Sequence, residues 1–215
     1  MMSSQAMTPL KDKAYELIKQ LILNGELQPG AMLTERILVE LLGMSRTPIR
    51  AAMERLQAED LLLYTPDKGM TVADLSMERS VEIYDLRLAV ETYVIQKLSC
   101  RTWTAEMQEV FRHNLNQQQE AVLASDFAVF TQLDLAFHLK LTEVYGNREI
   151  TQIMMKINDS MYRIALSVLR KSLNRIRVSY ADHLAIFEGI VSGDEAAAIK
   201  ATQTHLDIGR HILIG

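Results

Sequence analysis

Hydrophobic residues follow two different patterns along the chain, and the change between them falls near residue 75. Before it, short amphipathic segments alternate with turns and with two runs typical of β-strands. From Ser76 onward, hydrophobic residues recur at helical spacing, and only short polar breaks interrupt them. The pattern therefore predicts a mainly α protein with two domains, one over residues 8–75 and an all-helical one over residues 76–215.

Three helices are predicted in the first domain, and the last two form a helix-turn-helix. The predicted helices are Leu10–Asn24, Glu35–Leu42 and a segment within 44–56. Gly43 suits the tight turn before the third helix because glycine tolerates a positive φ. Ser45 or Thr47 can cap the third helix, and Pro48 is tolerated in its first turn.

A β-hairpin is predicted after these helices, with strands Leu61–Thr65 and Met70–Ala73 joined by the turn Pro66–Gly69. A helix-turn-helix followed by a hairpin is a winged helix.

Arg46 and Arg50 lie four residues apart near the start of the third helix. Two cations there oppose the helix dipole, whereas DNA would offer them phosphate and guanine contacts. An ordinary solvated arginine pair explains the same spacing, so this stretch alone leaves both interpretations open.

The second domain is predicted to be an antiparallel bundle of six helices. The predicted helices are Ser76–Ser99, Thr104–Ser125, Asp126–Tyr145, Arg148–Arg170, Leu173–Ser192 and Asp194–Ile214. Short connections between successive helices favour antiparallel neighbours, and no strand pattern or repeat interrupts the series.

Composition and charge narrow the class of protein. Hydrophobic residues make up 48% of the 215 residues and charged residues 23%, which is typical of a globular protein. The single cysteine, Cys100, excludes an intrachain disulfide and fits a reducing compartment. No apolar run has the length of a membrane span, and residues 1–8 lack a signal-peptide pattern, so a cytoplasmic protein is expected. The net charge of −4 means that any DNA contact must come from a local basic patch.

Four segments of the first domain resemble the DNA-binding domain of GntR-family transcriptional regulators. They are Leu27–Gly30, Thr34–Leu38, Leu42–Arg50 and Leu56–Leu61, in the family's order. The roles that the resemblance implies are DNA contacts for Arg36, Arg46 and Arg50, phosphate bonds for Ser45 and Thr47, and shaping of the wing for Gly69. The family's wing tip usually has His-Gly or Arg-Gly, whereas this chain has Lys68-Gly69, so a phosphate contact is expected of Lys68.

Three histidines and an aspartate in the second domain form a candidate cation site. Asp134 and His138 lie four residues apart on one face of a predicted helix, either as a hydrogen-bonded structural pair or as two ligands of one metal. His183 and His205 flank the turn Ser192–Asp194 at nearly equal offsets, which places both at nearly the same height in an antiparallel helix pair. If all four face one interior, a cation would satisfy a cluster that otherwise makes a poor core.

The same residues resemble the ligands of the FCD ligand-sensing domain, which follows many GntR-type DNA-binding domains. The resemblance covers about residues 76–213 and includes the segment Glu82–Glu91. The metal ligands that it implies are Asp134, His138, His183 and His205, holding a divalent ion such as zinc, nickel or manganese. It also implies that Arg87 faces the ligand cavity and binds an effector carboxylate. An intrahelical ion pair with Glu91 is the alternative use of Arg87.

These features together predict a ligand-responsive transcriptional regulator. We expect a homodimer that binds a pseudo-palindromic DNA operator, acts as a repressor and senses a small organic or sugar acid. A metalloenzyme is one alternative, but no glutamate adjoins the metal histidines in sequence to serve as a general base; Glu143 and Glu188 come nearest. A helical interaction module with a structural metal is the other.

Overall fold

Nine helices and two strands make up the part of the chain that the computed structural model describes, residues 9–215. The chain divides into two units, one ending at Leu75 and the other beginning at Ser76. Residue 8, where the predicted first domain begins, lies outside the described residues, as do the residues of the signal-peptide prediction. The prediction of a mainly α protein with a winged helix and a helical bundle is confirmed.

The N-terminal unit contains three helices and a two-stranded hairpin. Its elements are α1 (Leu10–Leu23), α2 (Glu35–Leu42), α3 (Arg46–Ala58), β1 (Leu62–Thr65) and β2 (Gly69–Val72). The hydroxyl of Thr34 accepts a hydrogen bond from the backbone N–H of Ile37 and caps α2. Gly43 ends α2 with a φ of 63°, which turns the chain directly into α3. Ser45 is the N-cap residue of α3, so Thr47 lies inside the helix.

The wing is an antiparallel hairpin whose inner residues join the core of this unit. Leu62 pairs with Val72, and both side chains are buried together with Ile49 of α3. At the other end Thr65 pairs with Gly69, so β2 begins one residue earlier than predicted. Gly69 has a φ of 76°, a conformation that glycine adopts without strain, and it closes the turn that carries Lys68.

The second unit consists entirely of helices. They are α4 (Met77–Ser99), α5 (Ala105–Ala124), α6 (Phe127–Tyr145), α7 (Arg148–Lys171), α8 (Arg175–Ser192) and α9 (Glu195–Ile214). Their ends lie within two residues of the predicted ones because the cap residues are local signals. Ser76, Thr104, Asp126 and Asp194 each accept a hydrogen bond from the backbone N–H three residues later. Among the described residues, no helix combines the length and the apolar character needed to cross a membrane.

The α8–α9 hairpin brings together the two helices that carry His183 and His205. Gly193 turns the chain with a φ of 77°. A Cβ added to Gly189 would lie 2.9 Å from the backbone nitrogen of Ala198, so a glycine is required for this close approach. The two helices therefore pack tightly beside their turn, and the residues further along each helix face one another.

Candidate metal centre and DNA-contact surface

The four predicted metal ligands converge in the interior of the bundle. Asp134 and His138 project from α6, His183 from α8 and His205 from α9, and all four side chains are buried. One potential ligand atom from each lies within 4.8 Å of the others. The ring centroids of His183 and His205 are 4.7 Å apart, in keeping with their nearly equal offsets from the turn.

An oxygen atom lies beside the Nδ1 atom of each of the three histidine rings. The contacts are 2.7 Å from His183 to Oε1 of Gln118, 2.6 Å from His138 to Oε2 of Glu91 and 3.2 Å from His205 to Oδ2 of Asp182. For His183, the acceptor at Nδ1 favours the tautomer with the proton there and leaves a lone pair on Nε2. At His205, Nη2 of Arg175 also lies 3.2 Å from Nδ1 and can only donate, so these contacts do not select one tautomer. Metal-binding histidines are oriented by outer contacts of this kind.

The inner nitrogen and oxygen atoms lie close to one another. Nε2 of His138 is 3.2 Å from Nε2 of His183, which is itself 3.2 Å from Oδ1 of Asp134. Burial lowers the pKa of His183. Burial and the neighbouring imidazoles together lower the pKa of His205. Both shifts favour the neutral forms of these rings. Although burial alone would raise it, the neighbouring histidines hold the pKa of Asp134 well below its usual range. Neutral imidazoles beside a carboxylate are suitable metal ligands, so these residues fit a divalent cation.

A buried ion pair on α4 adjoins this cluster. Nε of Arg87 donates a hydrogen bond of 2.5 Å to Oε1 of Glu91, and the other carboxylate oxygen faces His138. Although burial alone would raise it, the charge of Arg87 and the adjacent His138 ring lower the pKa of Glu91 to about 2. The ion pair weighed as the alternative use of Arg87 is therefore present. Even so, no acceptor within residues 9–215 reaches the buried Nη2 of Arg87.

A cavity of about 30 Å³ lies next to the cluster. The residues that line it include Arg87, Asp134, His205, Arg175 and, from α7, Met161. Arg175 is buried and donates a hydrogen bond of 2.8 Å to the backbone carbonyl of His205. Such a volume suits about one water molecule, so a larger ligand requires side chains to move.

Several residues beside the cluster were outside the sequence prediction. They are Gln118, Arg175 and Asp182, together with the contact between Glu91 and His138. A usable signal exists for Gln118, which follows Phe111 and Leu115 at helical spacing and so is a polar residue on an apolar helix face. Asp182 has no comparable signal, because its contact with the cluster is to His205 on the next helix, while its other partner, Arg175, lies seven residues earlier on its own helix.

Neither glutamate considered as a general base lies in this cluster. Glu143 is on the surface of α6, where its carboxylate accepts a hydrogen bond of 2.9 Å from Lys140. Glu188 is exposed and lines a surface groove between α5 and α8. Glu91, the carboxylate closest to a candidate ligand histidine in the described chain, is occupied by Arg87.

The predicted DNA-contacting side chains lie on the surface of the N-terminal unit. The exposed residues are Arg36 of α2, Ser45, Arg46, Thr47 and Arg50 at the start of α3, and Lys68 in the wing turn, with Gly69 half-buried beside it. The hydroxyl of Ser45 makes no capping hydrogen bond, and the first turn of α3 contains no acidic residue. This end of α3 therefore presents cationic and hydroxyl groups together, which suits a phosphate-bearing partner.

Arg50 differs from the other candidates because a glutamate of the neighbouring helix holds it. Its Nε donates to Oε1 of Glu35 at 2.7 Å, and its Nη2 donates to Oε2 at 3.2 Å. The side chain of Arg50 nevertheless keeps 64% of its surface exposed. The pair links α2 and α3 across the turn and leaves Nη1 of Arg50 facing outward from the carboxylate.

Two protein-family models match the chain, one over each unit. Residues 10–72 match the gntR family of bacterial regulatory proteins, and residues 82–208 match the FCD domain. An uncharacterized HTH-type transcriptional regulator from an unstable DNA locus of Streptomyces ambofaciens is 31% identical over 192 residues, covering 89% of this chain and 80% of the relative. The gluconate operon transcriptional repressor of Bacillus subtilis is 24% identical and covers 90% of this chain and 80% of the relative.

Solved structures show the same fold. A transcriptional regulator of the GntR type from Rhodococcus sp. RHA1 superposes with a TM-score of 0.80 at 19% identity, covering 97% of this chain and 99% of that chain. The chain belongs to the GntR family of transcriptional regulators, in the group that carries an FCD domain. It is a DNA-binding regulator and not an enzyme, which confirms the regulator interpretation over the metalloenzyme.

Proposed function

We propose that this regulator is a repressor whose helical domain senses a small carboxylate through a bound divalent metal ion. The observation that carries the proposal is the convergence of Asp134 with three histidines beside the unpaired Nη2 of Arg87. Buried polar groups are costly without partners. A cation for the first group and an anion for the second would supply those partners.

The metal would be held by Asp134, His138, His183 and His205. When bound, it would supply a positively charged centre with coordination positions open to an oxygen ligand. Imidazole and carboxylate together suit zinc, nickel or manganese. The hydrogen bond of 2.7 Å from His183 to Gln118 supports this assignment, because it holds one ligand ring in place before the ion arrives.

The effector would be a small organic acid or sugar acid. Arg87 lines the cavity beside Asp134 and His205, and its free Nη2 can donate to a carboxylate. The second buried guanidinium, that of Arg175, lines the same cavity, with its Nη1 paired to Asp182 at 3.0 Å. The relative named as a gluconate operon repressor supports a sugar acid. Since the cavity has a volume of only about 30 Å³, binding requires Met161 and its neighbours on α7 to move.

The N-terminal unit would bind a pseudo-palindromic operator as part of a homodimer. Arg36, Arg46 and Arg50 would contact the bases or the backbone, and Ser45 and Thr47 would bind phosphates. Lys68, beside Gly69 at the tip of the wing, would add a phosphate contact. A two-fold dimer is expected because one short recognition helix distinguishes only a few base pairs.

Effector and operator would be coupled through α4. This helix carries Arg87 and Glu91, and it begins at Met77, directly after the N-terminal unit in sequence. A carboxylate that competes with Glu91 for Arg87 would change the packing of α4. Coupling free energies between distinct sites in regulators are typically about 1–3 kcal/mol, enough to release an operator.

The test compares His205→Ala with His211→Ala, a change of an exposed histidine on the same helix. Operator duplexes would first be selected from a randomised pool, and DNA affinity would then be measured with gluconate, acetate, lactate and citrate. We expect His205→Ala to lose metal, measured by elemental mass spectrometry, and to lose any carboxylate response, while DNA binding without a carboxylate persists. A His205→Ala protein that lacks metal but responds normally would overturn the metal-dependent mechanism.

A further inference from the structure

We propose that Gln118 and Asn114 are positioning residues that fix the tautomer of His183, so that its Nε2 is free to bind the metal. The inference rests on the proposed metal site and deepens it. It concerns a chain of hydrogen bonds that starts at a backbone carbonyl of α6, passes through two side-chain amides of α5 and ends at a histidine of α8.

The direction of every hydrogen bond in this chain follows from its first atom. The carbonyl oxygen of Leu133 can only accept, so the Asn114 atom that lies 3.1 Å away must be the amide nitrogen. The Asn114 oxygen then points at Gln118 and accepts from its nitrogen at 2.7 Å. The Gln118 oxygen in turn lies 2.7 Å from Nδ1 of His183 and can only accept. Nδ1 therefore carries a proton, and in a neutral His183 ring the lone pair is on Nε2.

The His183 ring has little freedom to escape this arrangement. Its side chain is fully buried, and Phe137 and Phe130 stack against it with ring centroids 4.7 Å and 6.3 Å away. Nδ1 faces Gln118, whereas Nε2 faces His138 and Asp134. The opposite tautomer would place a proton on Nε2, among the other candidate ligand atoms, and would block coordination.

Packing alone does not explain an amide at position 118. Gln118 is fully buried and lies on the apolar face of α5 with Leu115 and Phe111. An apolar side chain would be favourable there, and a buried amide without partners would be costly. Both polar ends of Gln118 are hydrogen-bonded, one to Asn114 and one to His183. The hydrogen bond to Nδ1 of His183 therefore accounts for a glutamine at position 118.

The experiment compares Gln118→Met, which keeps the side-chain length but removes the acceptor, with Gln119→Met, the same change at the exposed neighbouring residue. The tautomer of His183 would be determined by nitrogen-15 NMR on metal-free full-length protein with labelled histidine. Affinities for Zn²⁺, Ni²⁺ and Mn²⁺, each added alone, would be measured by chelator competition. We expect Gln118→Met to convert His183 to the Nε2–H form and to weaken metal binding about 10- to 100-fold. Gln119→Met should change neither quantity.

Two further variants separate the tautomer from simple loss of packing. Gln118→Glu keeps an acceptor at Nδ1, so it should keep the Nδ1–H form and bind metal at least as well as Gln118→Met. Asn114→Leu removes the bond to the Leu133 carbonyl and frees the Gln118 amide to rotate, so a mixture of tautomers is expected. Asn116→Leu, at an exposed position on the same helix, is its control.

Two results would overturn the proposal: an Nε2–H form of His183 in the metal-free wild type, or an unchanged tautomer in Gln118→Met. Failure of the metal site itself has a different signature. If the tautomers change as expected but the wild type binds none of the three ions, the positioning role stands and the metal-binding proposal falls.

Discussion

Two of the arginine–glutamate pairs of this protein, one in each unit, have opposite surroundings. In the N-terminal unit, Arg50 and Glu35 join two helices, and their side chains keep 64% and 30% of their surface exposed. In the helical unit, Arg87 and Glu91 lie one turn apart on α4, and only 3% and 2% of their surfaces remain exposed. The N–O distances are similar, 2.7 Å and 2.5 Å, so the two pairs differ mainly in their exposure to solvent.

The difference in solvent decides what each pair can contribute. Water screens an exposed pair, so its effect on stability is small and its value lies in fixing the direction of a side chain. Burial of an ion pair costs desolvation of both charges, and apolar residues would often serve stability equally well. Stability alone therefore does not account for the buried pair, which fits the binding role proposed for Arg87, whereas the exposed pair fits the surface role proposed for Arg50.

The largest expected effect comes from breaking the buried pair. Arg87→Met leaves the carboxylate of Glu91 without its guanidinium partner, and the free energy of unfolding should fall by about 3–5 kcal/mol. Urea denaturation of metal-free protein would measure it. Arg79→Met, which breaks an exposed ion pair with Glu82 on the same helix, is the control and should have little effect. An equal, small change in both variants would contradict the distinction between buried and exposed pairs.

The sequence predicts the buried pair only in part, and the reason is physical. The i,i+4 spacing of Arg87 and Glu91 is a local feature of one helix, as are the cap residues that set the helix ends. The proximity of His183 and His205 is likewise predictable, because each lies a known number of residues from the same turn. Contacts between elements distant in sequence, such as Gln118 with His183, depend on the rotation of each helix about its axis. Spacing within a helix does not determine that rotation.

The second expected effect is on DNA binding and concerns the exposed pair. Arg50→Ala should weaken binding to a selected operator by about 10- to 100-fold per half-site, because a direct contact is lost in each protomer. The melting temperature should stay close to that of the wild type, since the side chain is largely exposed. Fluorescence anisotropy against operator and random duplexes would measure both affinities. Lys13→Ala, at an exposed position of α1, is the matched control. Unchanged operator affinity in Arg50→Ala would contradict the placement of α3 against DNA.

The smallest expected effect comes from Glu35→Gln, which keeps Arg50 but makes the orientation of its side chain less restrained. In the structure the carboxylate of Glu35 binds Nε and Nη2 of Arg50, so the guanidinium edge that contains Nη1 is the one left free for a partner. A neutral amide has one acceptor oxygen and a donor NH2 in place of two acceptor oxygens, so it cannot accept from Nε and Nη2 as the carboxylate does, and Arg50 should sample more rotamers. Removing a negative charge also favours any phosphate-bearing partner, which strengthens binding to operator and random DNA alike.

The quantity to measure is therefore the ratio of operator affinity to random-duplex affinity, from which the general charge effect cancels. We expect this ratio to fall several-fold in Glu35→Gln and to stay constant in Glu40→Gln, an exposed charge on the same helix. Melting temperatures should hardly differ among the three proteins, because the pair is solvent-exposed. A higher ratio in Glu35→Gln would mean that Glu35 competes with DNA for Arg50, and the exposed pair would then restrain the recognition helix instead of preparing it.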